Sequence, residues 1–184
     1  MVVIMKKEMV YVFKVALKYR KGLWRRIEVK EDQTLGDFDR IIREAFNHDT
    51  GDHLSEFFSD RVWRSKGFGE IDPYGGGSGS MKKINQLCLS EGAKIEYVYD
   101  FGDDIQHVIT LEKIIESENS VKYPRVTQNK PRYRYCVLCK NQEKKTTATW
   151  ICIECSNEEQ KEVLLCENCL MKKHEDHYAD EILY

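Results

Sequence analysis

The chain has 184 residues, 41% of them apolar and 33% charged, which leaves room for one ordinary domain and a small appendage. Its formal charge of −2 excludes a surface built throughout for phosphate, so any nucleic-acid footprint must be regional. No apolar run approaches the roughly 20 residues a membrane span needs, and the opening MVVIMKKEMVYVFK lacks both an extended apolar stretch and a small-residue cleavage site. These features predict a cytoplasmic protein with no membrane partner.

From Tyr11 to Tyr19 the odd positions Tyr11, Phe13, Val15, Leu17 and Tyr19 are apolar, with Lys14 and Lys18 among the even ones. That period of two predicts a half-buried strand. A second strand follows Lys21-Gly22 with Leu23, Ile27 and Val29 facing inward, and the short connection makes the pair an antiparallel hairpin. Thr34 is the expected N-cap of a helix, with Asp37 three residues on. Leu35, Phe38, Ile41, Ile42, Ala45 and Phe46 then recur at helical spacing, so this helix should lie on the hairpin.

Between Asn47 and Ser65 the pattern is weaker; Leu54, Phe57, Phe58, Val62 and Trp63 suggest one or two short strands around a turn at Ser59-Asp60. Asp72 to Ser80 reads as a flexible glycine-serine loop, and it lacks the Gly-Lys-Ser/Thr of a phosphate loop. Met81 to Ser90 reads as a second short helix with Ile84 and Leu87 inward. Cys88 is expected to be a small buried hydrophobe. Ile95, Tyr97 and Tyr99, then Ile105, His107, Ile109 and Leu111 past a turn, predict a second hairpin. The sum is an α+β domain over residues 1–116, antiparallel hairpins with two helices packed on one face, followed by a linker over 117–131.

The last third, residues 132–184, contains Cys136-x2-Cys139, Cys152-x2-Cys155, Cys166-x2-Cys169 and His174-x2-His177. In a reducing compartment paired cysteines more often hold metal than form disulfides. Structural zinc takes four such ligands, so eight donors fill two closed tetrahedral sites when the pairs combine two by two. The tail is therefore predicted to be a small zinc-binding module with two structural ions.

Three other clusters are candidate sites. Asp100, Asp103, Asp104 and His107 could bind a metal or act as acid and base across a tight turn, although aspartates also cap the backbone of such turns with no further role. His48, Asp49, Asp52 and His53 could form another divalent site. Lys122, Arg125, Lys130, Arg132, Arg134, Lys140, Lys144 and Lys145 interleave with Tyr123, Tyr133 and Tyr135, with Glu143 alone opposing them. That stretch could contact phosphates and stack bases, or be a solvated linker.

Several segments carry a family resemblance: Tyr11-Val-Phe-Lys-Val-Ala-Leu, Leu23-Trp-Arg-Arg-Ile-Glu-Val29, His53-Leu-x-x-Phe57, Tyr99-Asp-Phe-Gly-Asp-Asp-x-x-His107 and Leu111-Glu-Lys-Ile114. Together, over residues of about 8–115, they resemble the plasmid Ri open-reading-frame-three-like family. The resemblance implies a prokaryotic protein associated with mobile elements; the transposon-resolvase label some members carry is not supported, because no catalytic serine signature is present. The tail, above all Leu165-Cys-Glu-Asn-Cys-Leu-x-x-x-His174-x-x-His177, looks like the second half of a B-box or related cross-brace zinc finger. That likeness implies that Cys136, Cys139, Cys166 and Cys169 share one ion, and Cys152, Cys155, His174 and His177 the other. The expected role is that of a non-enzymatic zinc protein that docks a protein partner. The alternative is a nucleic-acid-binding accessory using residues 122–145, and a third reading is a metal-dependent enzyme built on Asp100, Asp103, Asp104 and His107.

Overall fold

A computed structural model describes residues 7–131 and 133–182. The chain divides into two compact units, one ending at Lys130 and the other running from Pro131.

The first unit is an antiparallel sheet of seven strands with an α-helix on one face. In chain order these are β1 (Met9–Leu17), β2 (Trp24–Lys30), α1 (Leu35–Phe46), β3 (Ser55–Phe58), β4 (Gly67–Ile71), β5 (Lys94–Tyr99), β6 (Ile105–Glu116) and β7 (Arg125–Lys130). Their order across the sheet is β4-β3-β5-β6-β1-β2-β7, so both predicted hairpins form, and β1 joins them by pairing with β6. Thr34 and Asp37 make the expected capping box: the Asp37 amide donates to Thr34 Oγ1 at 3.1 Å and the Thr34 amide to Asp37 Oδ2 at 3.0 Å. One face of α1 buries Phe38 between Phe13 and Phe57, with ring centroids 4.8 and 5.4 Å away. This aromatic stack is the centre of the core.

Five sequence expectations need correction. Val10 and Val12 are buried along with Phe13, Val15 and Leu17, and the pairing of β1 with β6 shifts at a bulge between Val12 and Phe13. The bulge puts its extra residue, Glu112, on β6; Tyr11 keeps the face of Phe13, stacked on it at 6.1 Å, but is only half-buried, and Tyr19 lies beyond the strand. The second helix is a single 3-10 turn over Ile84–Leu87, and Cys88 after it is exposed, not buried. Asp72 to Ser80 is tied down: Asp72 Oδ1 accepts from the amides of Tyr74 and Gly76 at 2.8 and 2.9 Å, and the Gly79 amide donates to Glu70. Gly79 is required there, because a Cβ on it would meet the Gly69 carbonyl oxygen at 2.1 Å. Finally, the stretch read as a linker contains β7, which pairs with β2 from Trp24↔Lys130 to Glu28↔Arg125. Its side chains are almost all exposed, so backbone pairing and polar contacts such as Arg125 with Glu28, not apolar burial, draw it into the sheet.

The second unit has a three-stranded sheet in the order β10-β8-β9, built from β8 (Trp150–Cys152), β9 (Val163–Leu165) and β10 (Ala179–Glu181). Three short helices accompany it: α2 (Val137–Lys140), α3 (Ile153–Glu159) and α4 (Glu167–Lys173). The expected α+β class is correct for the chain. Among the described residues no helix is long and apolar enough to cross a membrane.

Candidate metal centre

Each Cys-x2-Cys pair straddles the start of a short helix. Cys136, Cys152 and Cys166 are the N-cap residues of α2, α3 and α4, and Cys139, Cys155 and Cys169 follow in the first turn. A helical turn therefore sets the two sulfurs of each pair side by side.

The β8–β9 hairpin decides which pairs meet. Cys152 ends β8 opposite Val163, while Cys166 follows Leu165, which is opposite Trp150. Antiparallel pairing thus sends the second and third pairs to opposite ends of a three-residue ladder, about 10 Å long at 3.3 Å per residue. They cannot share one ion. The first pair joins the third, because the Cys136 amide bonds to Thr146 and the Thr149 amide to Leu165. The seven residues of α4 then run about 10 Å and deliver His174 and His177 to the far end, beside Cys152 and Cys155.

The result is two groups of four ligand atoms, each group lying within 4.8 Å: Cys136, Cys139, Cys166 and Cys169, and Cys152, Cys155, His174 and His177. Within the first, Cys139 Sγ lies 3.8 Å from Cys166 Sγ and 3.6 Å from Cys169 Sγ. Within the second, Cys152 Sγ to His177 Nδ1 is 3.3 Å, Cys155 Sγ to His174 Nδ1 is 3.3 Å, and the two Nδ1 atoms are 3.4 Å apart. Both groups could hold a metal ion. Burial and neighbouring thiols push the Cys169 thiol up to about 12 and the Cys155 thiol up to about 11. Such crowding of sulfurs is relieved when a cation takes the place of their protons. The long gap between Cys155 and Cys166 is filled by α3 and a turn closed by Ser156, whose Oγ accepts from the Val163 amide at 2.9 Å.

The other candidates do not assemble. Asp100 Oδ1 accepts from the amides of Gly102 and Asp103, at 2.8 and 3.3 Å, as a turn cap does. Asp104 Oδ1 accepts from Trp63 Nε1 at 2.9 Å, and Asp103 is exposed. His107 is on the opposite face of the sheet, fully buried, with its Nε2 3.2 Å from His48 Nε2. Burial lowers His48 to about 4 and holds His107 well below the ordinary histidine range, so one neutral ring donates to the other. His53 instead faces Asp100, with Nδ1 3.1 Å from its Oδ2.

The basic stretch is divided between the two units. Arg125 pairs with Glu28 at 2.6 Å and Arg134 with Glu162, while Lys122 and Lys130 are exposed in the first unit. Lys140, Lys144 and Lys145 line a cavity of about 290 Å³ with Tyr135 and Glu143 in the second. Arg132 lies outside the described residues.

The sequence reading missed a buried network on α1. Arg43 Nε donates to Asp39 Oδ2 at 2.9 Å, its Nη1 to the carbonyl of Asp52 at 2.8 Å, and its Nη2 to Ser55 Oγ at 3.0 Å. Tyr97 donates to Asp39 Oδ1 at 2.7 Å. Burial raises the Asp39 carboxyl even though Arg43, Ser55 and Tyr97 pull it down. The available signal was an i,i+4 Asp-Arg pair on the apolar side of a helix, between Phe38 and Phe46.

A family model described as plasmid pRiA4b ORF-3-like protein matches residues 9–133. The chain belongs to the plasmid pRiA4b ORF-3-like family. That match stops three residues past the end of β7, so the second unit is an addition to the family domain. Among solved structures, the chain is similar to the protein of unknown function MM3350 from Methanosarcina mazei Go1. The identity is 28% and the TM-score 0.55, over 67% of this chain and 70% of that one. No curated protein matches the chain.

Proposed function

We propose that the second unit is a structural module holding two zinc ions, and that this chain works by binding a protein partner through that module rather than by catalysis. The observation that carries the zinc reading is the size of the two ligand groups. In a tetrahedron with zinc–sulfur bonds of about 2.3 Å and zinc–nitrogen bonds of about 2.05 Å, the edges are about 3.8 Å for S–S, about 3.5 Å for S–N and about 3.3 Å for N–N. The separations of 3.6–3.8, 3.3 and 3.4 Å match those edges. Thiolate-rich tetrahedral sites favour zinc over harder cations such as magnesium or calcium.

A catalytic zinc keeps one position for water, and here each ion would be enclosed by four strong protein ligands. That supports a scaffold. The module also exposes Met171 and Tyr178, 53% and 68% accessible, around α4 and the histidine pair, as a protein-docking surface would. A reducing cytoplasm is the setting in which six free thiols keep this role.

Elemental analysis of untagged protein purified without added metal tests the reading, with two zinc ions per chain expected and none overturning it. A partner recovered with the intact chain should be lost on Cys166→Ala. Equal recovery with that variant would remove the docking role.

A further inference from the structure

We infer that the helix-free face of the seven-stranded sheet is a binding platform for single-stranded nucleic acid. This goes beyond the zinc-module reading and uses different residues.

Cross-strand partners share a face, and the register groups Lys14 with Thr110 and Arg26, Ala16 with Val108 and Trp24, and Lys94 with Thr110. None of these belongs to the apolar core under α1. Two concavities lie along this face. One, of about 220 Å³, is lined by Lys14, Lys21 and Lys94 over a floor of Ala16, Val108 and Thr110. The other, of about 570 Å³, is lined by Lys18, Tyr19, Glu96, Gln106 and the Arg61–Arg64 turn. Gln106, Val108 and Thr110 are successive outward residues of β6, so the two concavities adjoin along the strands.

The charges are left available. Arg61, Arg64, Lys21 and Lys94 make no ion pair among the described residues. Of the acids that the register places on this face, Glu28, Glu96 and Glu112 are engaged, Glu28 by Arg125 at 2.6 Å, while Glu56 and Glu70 line neither concavity. Glu96 Oε2 accepts from Lys18 Nζ at 2.7 Å and from the Val62 amide at 2.9 Å, and Glu112 holds Arg26 at 2.6 Å. In a chain of net charge −2, this gathers cations on one side. Such a face complements a polyanion.

Two exposed aromatics at the rim narrow the polyanion to one with free bases. Tyr19 is 77% exposed and Trp63 51%. Trp63 holds a φ of 60°, rare for a bulky residue, with its indole N–H bonded to Asp104 and its ring edge-on to Phe101 at 5.0 Å. That strained turn places Arg61 and Arg64 in the same concavity as the half-exposed indole. Unpaired bases stack on such side chains, whereas in a duplex the bases are already stacked on one another.

The test is fluorescence anisotropy of a short labelled oligothymidylate with the zinc-loaded full chain, titrated at several salt concentrations. Binding should weaken steeply with salt. An Arg61→Gln, Arg64→Gln double variant should bind about tenfold more weakly and flatten the log–log salt slope by roughly 2. Both side chains are exposed, so the variant keeps its fold, checked by circular dichroism. Trp63→Ala should weaken oligothymidylate but not heparin, a polyanion without bases. A Lys144→Gln, Lys145→Gln variant in the second unit should change neither. No binding at low salt, loss with the lysine pair but not the arginine pair, or equal or tighter binding of duplex DNA, heparin or a polyglutamate peptide would each overturn the inference.

Discussion

The two units of this chain solve the same problem with different means. The first buries large side chains, Phe13, Phe38, Phe46 and Phe57 among them, beneath a seven-stranded sheet. The second has 54 residues, and its buried cluster is Cys136, Ala148, Cys152, Val163, Leu165, Cys166, Leu170 and Ile182, of which three are thiols. A unit that small rarely buries enough apolar surface to offset its conformational entropy, and a metal supplies the difference. Core packing holds the family domain, and on the proposed reading ligation holds the addition.

The largest expected effect follows from that contrast. A strong chelator, or Cys166→Ala, should unfold the second unit outright, since structural zinc contributes about 10–16 kcal/mol in small modules. Hydrogen exchange of the full chain should show amides of β8 and β9 losing protection while those of β1 and β6 keep theirs. Simultaneous loss in both units would break the comparison.

Phe38→Ala is the converse. Removing the ring between Phe13 and Phe57 should destabilise the first unit by about 3–5 kcal/mol, read from denaturant midpoints, and leave zinc content unchanged.

Acid sharpens the difference further. The His48 pKa falls from 6.5 to about 4 on folding, through burial first and the charge of Arg43 second. A depressed histidine makes its contribution fully above 6.5, and loses it as the pH falls toward the folded value, because the unfolded chain binds the proton more readily. The first unit should therefore weaken between pH 6.5 and 4 by on the order of 3 kcal/mol from His48, with His107 adding to it. A His48→Gln, His107→Gln variant should show a flatter pH profile in urea titrations; an unchanged slope would remove the pair as its cause.

Thr34→Ala should cost the least, about 1 kcal/mol, by unmaking the capping box on α1. It should leave the second unit untouched.

Much of this was legible in the sequence, and for particular reasons. Period-two alternation marks β2, β5 and β6 because each has one buried face, and Thr34 with Asp37 marks the start of α1 because orphan amides need acceptors there. The candidate metal-ligand groups were legible because Cys-x2-Cys is a usual spacing of paired metal ligands. β7 was not, since an exposed edge strand needs only backbone partners and shows no apolar pattern. Nor was the fate of the Asp100–His107 cluster, because residues of a turn and of the strand that follows it can point to opposite faces.

The sequence by itself determined the α+β class, the first hairpins, the capped helix and the identity of eight soft ligands, because these rest on local spacing. Only the tertiary structure decided which ligand pairs converge, through the antiparallel β8–β9 hairpin that sends the second and third pairs to opposite ends. It also decided that His107 meets His48 and that scattered lysines and arginines gather on one sheet face. Those outcomes depend on strand register and order, which bring together residues far apart in the chain and leave no periodic trace in it.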